Sequence, residues 1–159
     1  MFEHLLKPPA HIITEQVREW DYGEYEGLLS AEIREKNPNW DIWRDGCPGG
    51  ESVEEMTTRI DGVISQVGSY IPKTSEDLLS GKQVREYHRK WKEEGEGPRD
   101  VVIVAHGHFN RCLIARWIKQ PLCNGTFFNV EPAGIAILSY NHDSLAEPAL
   151  NALNLNALG

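Results

Sequence analysis

"VVIVAHGHFNR", residues 101–111, is the stretch from which the fold is read. Four β-branched residues and an alanine run into His106, Gly107 and His108, and "FNRCLIARWI" then places Cys112, Leu113, Arg116 and Trp117 at helical spacing. A short, continuously apolar run of this kind is expected to be a strand buried on both faces, at the centre of a parallel sheet. Only Gly107 and His108 separate it from the helix, so the segment reads as a strand–turn–helix unit of an α/β fold with two imidazoles at its seam.

In open α/β sheets, ligands bind beyond the carboxyl ends of strands, where the next helix offers free N–H groups and the positive end of its dipole. An imidazole at His106 would there donate hydrogen bonds to an anion or pass a proton, and Gly107 would let the backbone come close; phosphate is the expected anion. The competing reading of each histidine is a loop side chain satisfied by backbone carbonyls. A metal site built from His106, His108 and Cys112 is disfavoured, because the paired i, i+4 histidines and glutamate of a zinc helix are missing.

Working outward, "HIITEQV" (11–17) and "GIAILSY" (134–140) are expected to be strands. A core-facing helix starts at Ser52, an N-cap with Glu55 three residues on, and carries Val53, Met56, Ile60, Val63, Ile64 and Val67 on its apolar stripe. The charged segment "GKQVREYHRKWKEEGEGPRD" (81–100) reads as an exposed helix closed by a loop, and "NALNLNALG" (151–159) as a frayed end. "MFEHLL" (1–6) reads as an apolar helical fragment with no cap before it. Three strands are few for a parallel sheet of this size, so the fold is expected to be incomplete at its N-terminus.

With 159 residues, the chain has the length of a single domain, and 40% hydrophobic with 25% charged residues places it among soluble globular proteins. A net charge of -8 argues against a nucleic-acid partner, since phosphate backbones are held by clustered Lys and Arg. Cys47, Cys112 and Cys123 form no disulfide framework, which points to free thiols in a reducing compartment. No run approaches the ~18 apolar residues of a membrane span, and "MFEHLLKPPA" has neither a basic leader nor a cleavage site, so a cytoplasmic location is expected. Dinucleotide binding is set aside because no Gly-x-Gly-x-x-Gly follows a strand.

A second motif belongs to the seam. "REWDYGEYEG" (18–27) packs three glutamates, an aspartate, two tyrosines and a tryptophan around Gly23 and Gly27. Bulky aromatics beside acids and turn glycines suit the wall of a cleft, where desolvation can bring a carboxyl group into the range of a general acid. Glu24 and Glu26 read as surface acids.

Together, "REWDYGEYEG", "WRDGCPGGES" (43–52) and "VIVAHGHFNR" (102–111) resemble the histidine phosphatases of the phosphoglycerate-mutase-like superfamily. With "GIAILSY" and "AEPAL" (146–150) added, the chain looks most like the fungal sedoheptulose-1,7-bisphosphatase branch, over residues 17–150 apart from the charged insert. The resemblance implies a three-layer α/β fold with a mostly parallel sheet, here one domain over 1–159 lacking the first strand and its Arg-His-Gly motif. It implies that the histidine of that motif takes the phosphoryl group and that a second histidine, matched by His106, stabilises the phosphoryl oxygens. It makes Glu19, four residues before Gly23, the acid that protonates the leaving oxygen and then activates water. Tyr22, Gly107 and His108 match positions that contact phosphate or sugar, and Gly50, Glu51 and Ser52 match an element bordering the pocket, Ser52 acting chiefly as the helix cap. Neither a metal nor another cofactor is implied.

No Arg-His-Gly occurs in the sequence, and His4, His11, His88 and His142 all have unsuitable neighbours; the family's second phosphate-binding arginine is also absent. Two readings follow. One is a phosphate monoester hydrolase acting on a sugar (bis)phosphate through phosphohistidine, inactive as this chain alone because the nucleophile is missing. The other is a catalytically inactive, shortened relative that binds an anion or a protein. The expected partners are a small-molecule phosphate ester and a second copy meeting an exposed sheet edge, with no nucleic acid and no membrane.

Overall fold

Ser52 opens the longest helix among the described residues by a reciprocal cap. Its hydroxyl accepts the N–H of Glu55 at 3.2 Å, and the Glu55 carboxylate accepts the N–H of Ser52 at 2.9 Å, so two donors that the helix cannot satisfy are paired. The computed structural model describes residues 11–69 and 100–156. Two short helices, α1 (Ser30–Lys36) and α2 (Ile42–Asp45), precede the capped helix α3 (Val53–Ser69), and α4 (Gly107–Trp117) follows. The stripe of α3 meets α4 as its spacing predicts: Met56, Ile60 and Val63 share one buried cluster with Phe109, Cys112 and Leu113. Trp20, Ile33, Trp40, Ile42 and Trp43 belong to the same cluster, so the aromatic motif and α2 are packed onto the same core as the helix pair. Fully burying each such apolar side chain stabilises the fold by ~1.5 to 3 kcal/mol.

The expected strand at 134–140 forms as β1 (Ile135–Tyr140). It pairs antiparallel with β2 (Pro148–Leu155), in a register that sets Tyr140 opposite Pro148 and Ile135 opposite Leu155. The tail expected to fray is therefore ordered through Leu155. Asn154 explains why: at φ 57°, a conformation asparagine tolerates, its side chain accepts the N–H of Glu131 (2.9 Å) and donates to the carbonyl of Asn129 (2.7 Å). The Trp117 indole donates to the Ser139 carbonyl at 3.0 Å and fastens α4 to β1.

Two expected strands are not strands. Residues 101–105 pair with nothing among the described residues, and 11–17 are irregular to Thr14 and then close a 3-10 turn, Glu15–Val17, with the Thr14 hydroxyl accepting the N–H of Gln16. Apolar patterning records which side chains favour burial, whereas a strand also needs a neighbouring ladder, and the only ladder among the described residues is the β1–β2 hairpin. The pattern still shows at 101–105: Ile103 and Ala105 pack on the core while Val102 and Val104 are 83% and 75% exposed. The readings of 1–6 and of nearly all of 81–100 lie outside the described residues.

Ile13 is 95% exposed, and Ile12, Ile13 and Val104 line one hollow beside Val102. Apolar side chains over unpaired backbone make a template for association. Self-association through this face is the expected result: sedimentation at rising concentration should show oligomers that Val102→Lys with Val104→Lys returns to monomer, and a wild-type chain that stays monomeric throughout would contradict it.

Candidate active site

The site is organised by the start of α4. His106 is the N-cap in extended conformation, Gly107 is the first helical residue, and the N–H groups of His108 and Phe109 therefore point out of the helix unpaired. Glu19 takes them. Its Oε2 accepts the His108 N–H at 3.1 Å, and its Oε1 accepts the N–H groups of Phe109 at 2.8 Å and of Trp20 at 3.0 Å. The anion at this helix N-terminus is thus a carboxylate of the chain, where the sequence pattern had placed phosphate, and the dipole fixes Glu19 to a residue some ninety positions away. A Cβ at Gly107 would lie 3.8 Å from Glu19 Oε2, an ordinary contact distance that places Gly107 directly beside the carboxylate.

The His106 side chain is exposed and makes no hydrogen bond among the described residues. It faces the hollow that Ile12, Ile13, Val104 and Arg18 also line, which gives that hollow two cationic or donor groups. Arg18 was not singled out from sequence, where it is one basic residue at the start of an acidic motif.

Glu51 plays a different part from the one its position in the family motif implies. It is 5% exposed, and both its oxygens are engaged by Arg59, whose Nε donates to Oε1 and whose Nη2 donates to Oε2, each at 2.7 Å. The same guanidinium donates to the carbonyls of Gln16 and Arg18 at 3.0 Å, and Glu51 exchanges a backbone bond with Asp21 (N–H to carbonyl, 2.9 Å) while its carbonyl accepts the Trp20 indole N–H at 2.8 Å. The pair clamps the backbone that delivers Glu19. Glu51→Gln leaves Arg59 buried without its counter-charge and is expected to cost ~3 to 5 kcal/mol in a urea titration; a loss below ~1 kcal/mol would show that the pair is not desolvated. Sequence reasoning missed Arg59 altogether. Its only local sign is a lone arginine between Met56 and Ile60, on the edge of an otherwise apolar stripe.

Tyr22 and His108 do come together: the Tyr22 hydroxyl and His108 Nδ1 are 2.7 Å apart. Burial first, and the Glu19 carboxylate second, push the Tyr22 hydroxyl above its ordinary value of 10.0. Burial holds the His108 imidazole below its usual 6.5, with Glu19 opposing and Arg111 assisting, which favours the neutral ring. The His108 ring is enclosed by Trp20, Tyr22 and Trp43, with centroids at 6.3, 5.7 and 5.3 Å. Trp43 is held in turn by the Arg111 guanidinium 4.8 Å above it, and Arg111 donates to the carbonyls of Gly125 and Thr126. Cys112 is buried in the core, and no group of three or more His, Cys, Asp or Glu among the described residues is placed to hold a metal ion.

The family model of the histidine phosphatase superfamily (branch 1) matches residues 4–76 and 80–153. The chain belongs to this family. It is 35% identical over 130 residues to an acid phosphatase of Mycobacterium tuberculosis, a match that covers 82% of this chain and 52% of that protein. It is 27% identical over 179 residues to the sedoheptulose 1,7-bisphosphatase of Saccharomyces cerevisiae, covering 87% and 59%. Among solved structures, the product of open reading frame Rv3214 of Mycobacterium tuberculosis superposes with a TM-score of 0.66 at 34% identity, over 90% of this chain and 60% of that one. The α-ribazole phosphatase of Shigella flexneri superposes with 0.62 at 20% identity, over 99% and 65%, a likeness of fold alone. The histidine phosphatase chain described here thus has the family's α/β fold, and it spans little more than half the length of these curated relatives. Among its described residues no helix is long and apolar enough to cross a membrane.

Proposed function

We propose that this chain supplies the acid/base and the second histidine of a phosphate monoester hydrolase that acts on a sugar (bis)phosphate through phosphohistidine. The observation that carries the reading is the Glu19 carboxylate, seated beside the His106 cap on the first turn of α4 by the N–H groups of His108 and Phe109, with the N–H of Trp20 as a third donor. In this reading His106 donates to the phosphoryl oxygens, and Glu19 protonates the leaving oxygen and then takes a proton from water. Tyr22 and the backbone at Gly107 and His108 border the substrate. Glu51 acts indirectly, through Arg59, by holding the segment that carries Glu19. Membership in the family and relatives named as phosphatases support the reaction class; the sugar substrate rests on the bisphosphatase relative.

Transfer to histidine needs a nucleophile in line with phosphorus at about 3 to 3.5 Å. The residue with the Arg-His-Gly setting is not in these 159 residues. The chain incubated with a small phosphoryl donor and analysed by intact mass under non-acidic conditions is expected to show no phosphoryl adduct, and a stable phosphohistidine would overturn the assignment of roles.

A second, non-catalytic reading is favoured by one observation, the exposed apolar face around Ile13 and Val102, which would suit a module that binds protein. Loss of all partner binding on charging that face, with phosphoryl transfer intact in a nucleophile-bearing form, would separate the two.

A further inference from the structure

The two ring nitrogens of His108 are used unequally. Nδ1 lies 2.7 Å from the Tyr22 hydroxyl. Nε2 has no partner among the described residues, and it is not sealed in the core, since Ser139 Oγ is the one buried side-chain polar atom there that lacks a partner. The pose of the ring is set by its neighbours: Trp20 and Tyr22 meet it edge-on, at interplanar angles of 88° and 75°, and Trp43 lies against it with centroids 5.3 Å apart. Trp43 is backed in turn by the Arg111 guanidinium at 4.8 Å and by Gly125, where a Cβ would lie 2.6 Å from Trp43 Cζ3. An imidazole held in this way with one nitrogen spare is a hydrogen-bonding group fixed in advance of its ligand.

Its place says what it meets. The backbone N–H of the same residue seats Glu19 Oε2, so a group whose oxygen Glu19 protonates lies beside His108. His106 faces a different space, the hollow lined by Ile12, Ile13, Val104 and Arg18, and His108 is not part of that lining. Resting on the assignment of Glu19 as acid/base, we propose that His108 Nε2 binds a hydroxyl of the leaving group close to the ester oxygen, which makes His108 the residue that selects a sugar or polyol phosphate over a phosphate ester without hydroxyls.

A hydroxyl fits both arrangements of the Tyr22–His108 pair. With Tyr22 donating to Nδ1, Nε2 carries the ring proton and donates; with Nδ1–H donating to the Tyr22 oxygen, Nε2 accepts. A hydroxyl answers either one, whereas an ionised phosphate oxygen only accepts and a hydrocarbon does neither. Burial, opposed by Glu19 and assisted by Arg111, favours the neutral ring, and a neutral ring suits an uncharged hydroxyl better than a second phosphate dianion.

Binding at Nε2 is measurable on the 159-residue chain without turnover, by following the ring-nitrogen resonances of His106 and His108 while glycerol phosphate or propyl phosphate is added. The two esters share a skeleton and a charge and differ in their hydroxyls. His106 is expected to respond to both, and His108 Nε2 to glycerol phosphate only. The proposal is overturned if Nε2 stays still with glycerol phosphate or responds equally to propyl phosphate. A silent His106 counts instead against its role at the phosphoryl oxygens, and Glu19 is decided separately by the leaving-group dependence of its own variant, so the readings fail on different signals. In a form that carries a nucleophilic histidine, His108→Phe should lower kcat/KM about 3- to 10-fold more for glycerol phosphate than for propyl phosphate, the range of one hydrogen bond. His108→Gln, whose amide reaches close to the place of Nε2, should restore part of that difference. Equal losses on the two esters in His108→Phe would mean that the ring only supports the fold, and would overturn the proposal. Should His108→Phe fail to fold, the titration of the wild-type chain decides alone.

Discussion

Gly23→Ala is expected to abolish the native state or to cost more than ~4 kcal/mol, well beyond an ordinary substitution. Gly23 has φ +53°, and a Cβ there would lie 2.2 Å from the Gly50 nitrogen, 2.4 Å from the Pro48 oxygen and 2.6 Å from the Gly49 carbonyl carbon, all of them backbone. The contact is reciprocal, since a Cβ on Gly50 would lie 2.4 Å from the Asp21 oxygen. Two backbone segments touch without side chains between them, and the Glu24 N–H to Pro48 carbonyl bond (2.8 Å) closes the same seam. Gly27 supplies the control. It has φ +75° but nothing within 4 Å of its missing Cβ, so Gly27→Ala should cost only the ~1 to 2 kcal/mol of a left-handed alanine. Urea midpoints of the two variants measure the difference. Similar losses for both would mean that the aromatic motif and the 46–51 loop are not in backbone contact.

That contact shows what the sequence could and could not disclose. Gly23 and Gly50 were visible as turn residues, but their mutual approach joins segments 27 positions apart and leaves no mark in either. The α3 helix was legible because its signals are local, a cap at Ser52 answered by Glu55 and a repeating apolar stripe. Residues 101–105 were misread for the opposite reason: a strand is a relation between two segments, and the described residues provide no second one. The candidate site divides the same way. Glu19, His106, Tyr22 and His108 could be picked out through the family's motifs, and the structure brings His108 into direct contact with both Glu19 and Tyr22. What could not be read was that Glu19 occupies the helix N-terminus that looked reserved for phosphate, or that Arg59 binds Glu51 and the carbonyls ahead of Glu19.

In a form of the protein that presents a nucleophilic histidine to this site, such as this chain joined to the Arg-His-Gly segment of a relative, the roles of His106 and Glu19 should separate. His106 donates to oxygens whose charge shifts in the transition state, so His106→Ala should slow both formation and hydrolysis of the phosphoenzyme. Losing one donor of this kind costs ~2.7 to 4 kcal/mol, about 10² to 10³ in rate. Glu19 moves protons, so the effect of Glu19→Gln should depend on how much the leaving group needs one. A sugar alkoxide needs protonation, whereas an activated aryl oxide leaves largely without it. Release of phosphate needs an activated water in either case, so the phosphoenzyme should then accumulate.

The decisive measurement is a pre-steady-state burst with an activated aryl phosphate and with a sugar phosphate, wild type against Glu19→Gln, with the phosphoenzyme quantified under non-acidic conditions. The expected result is a burst on the aryl phosphate close to the wild-type rate, a collapsed rate on the sugar phosphate, and trapped phosphohistidine in the variant. An equal loss on both substrates with no trapped phosphoenzyme would contradict Glu19 as the acid/base and would turn attention to a neighbour such as Glu24.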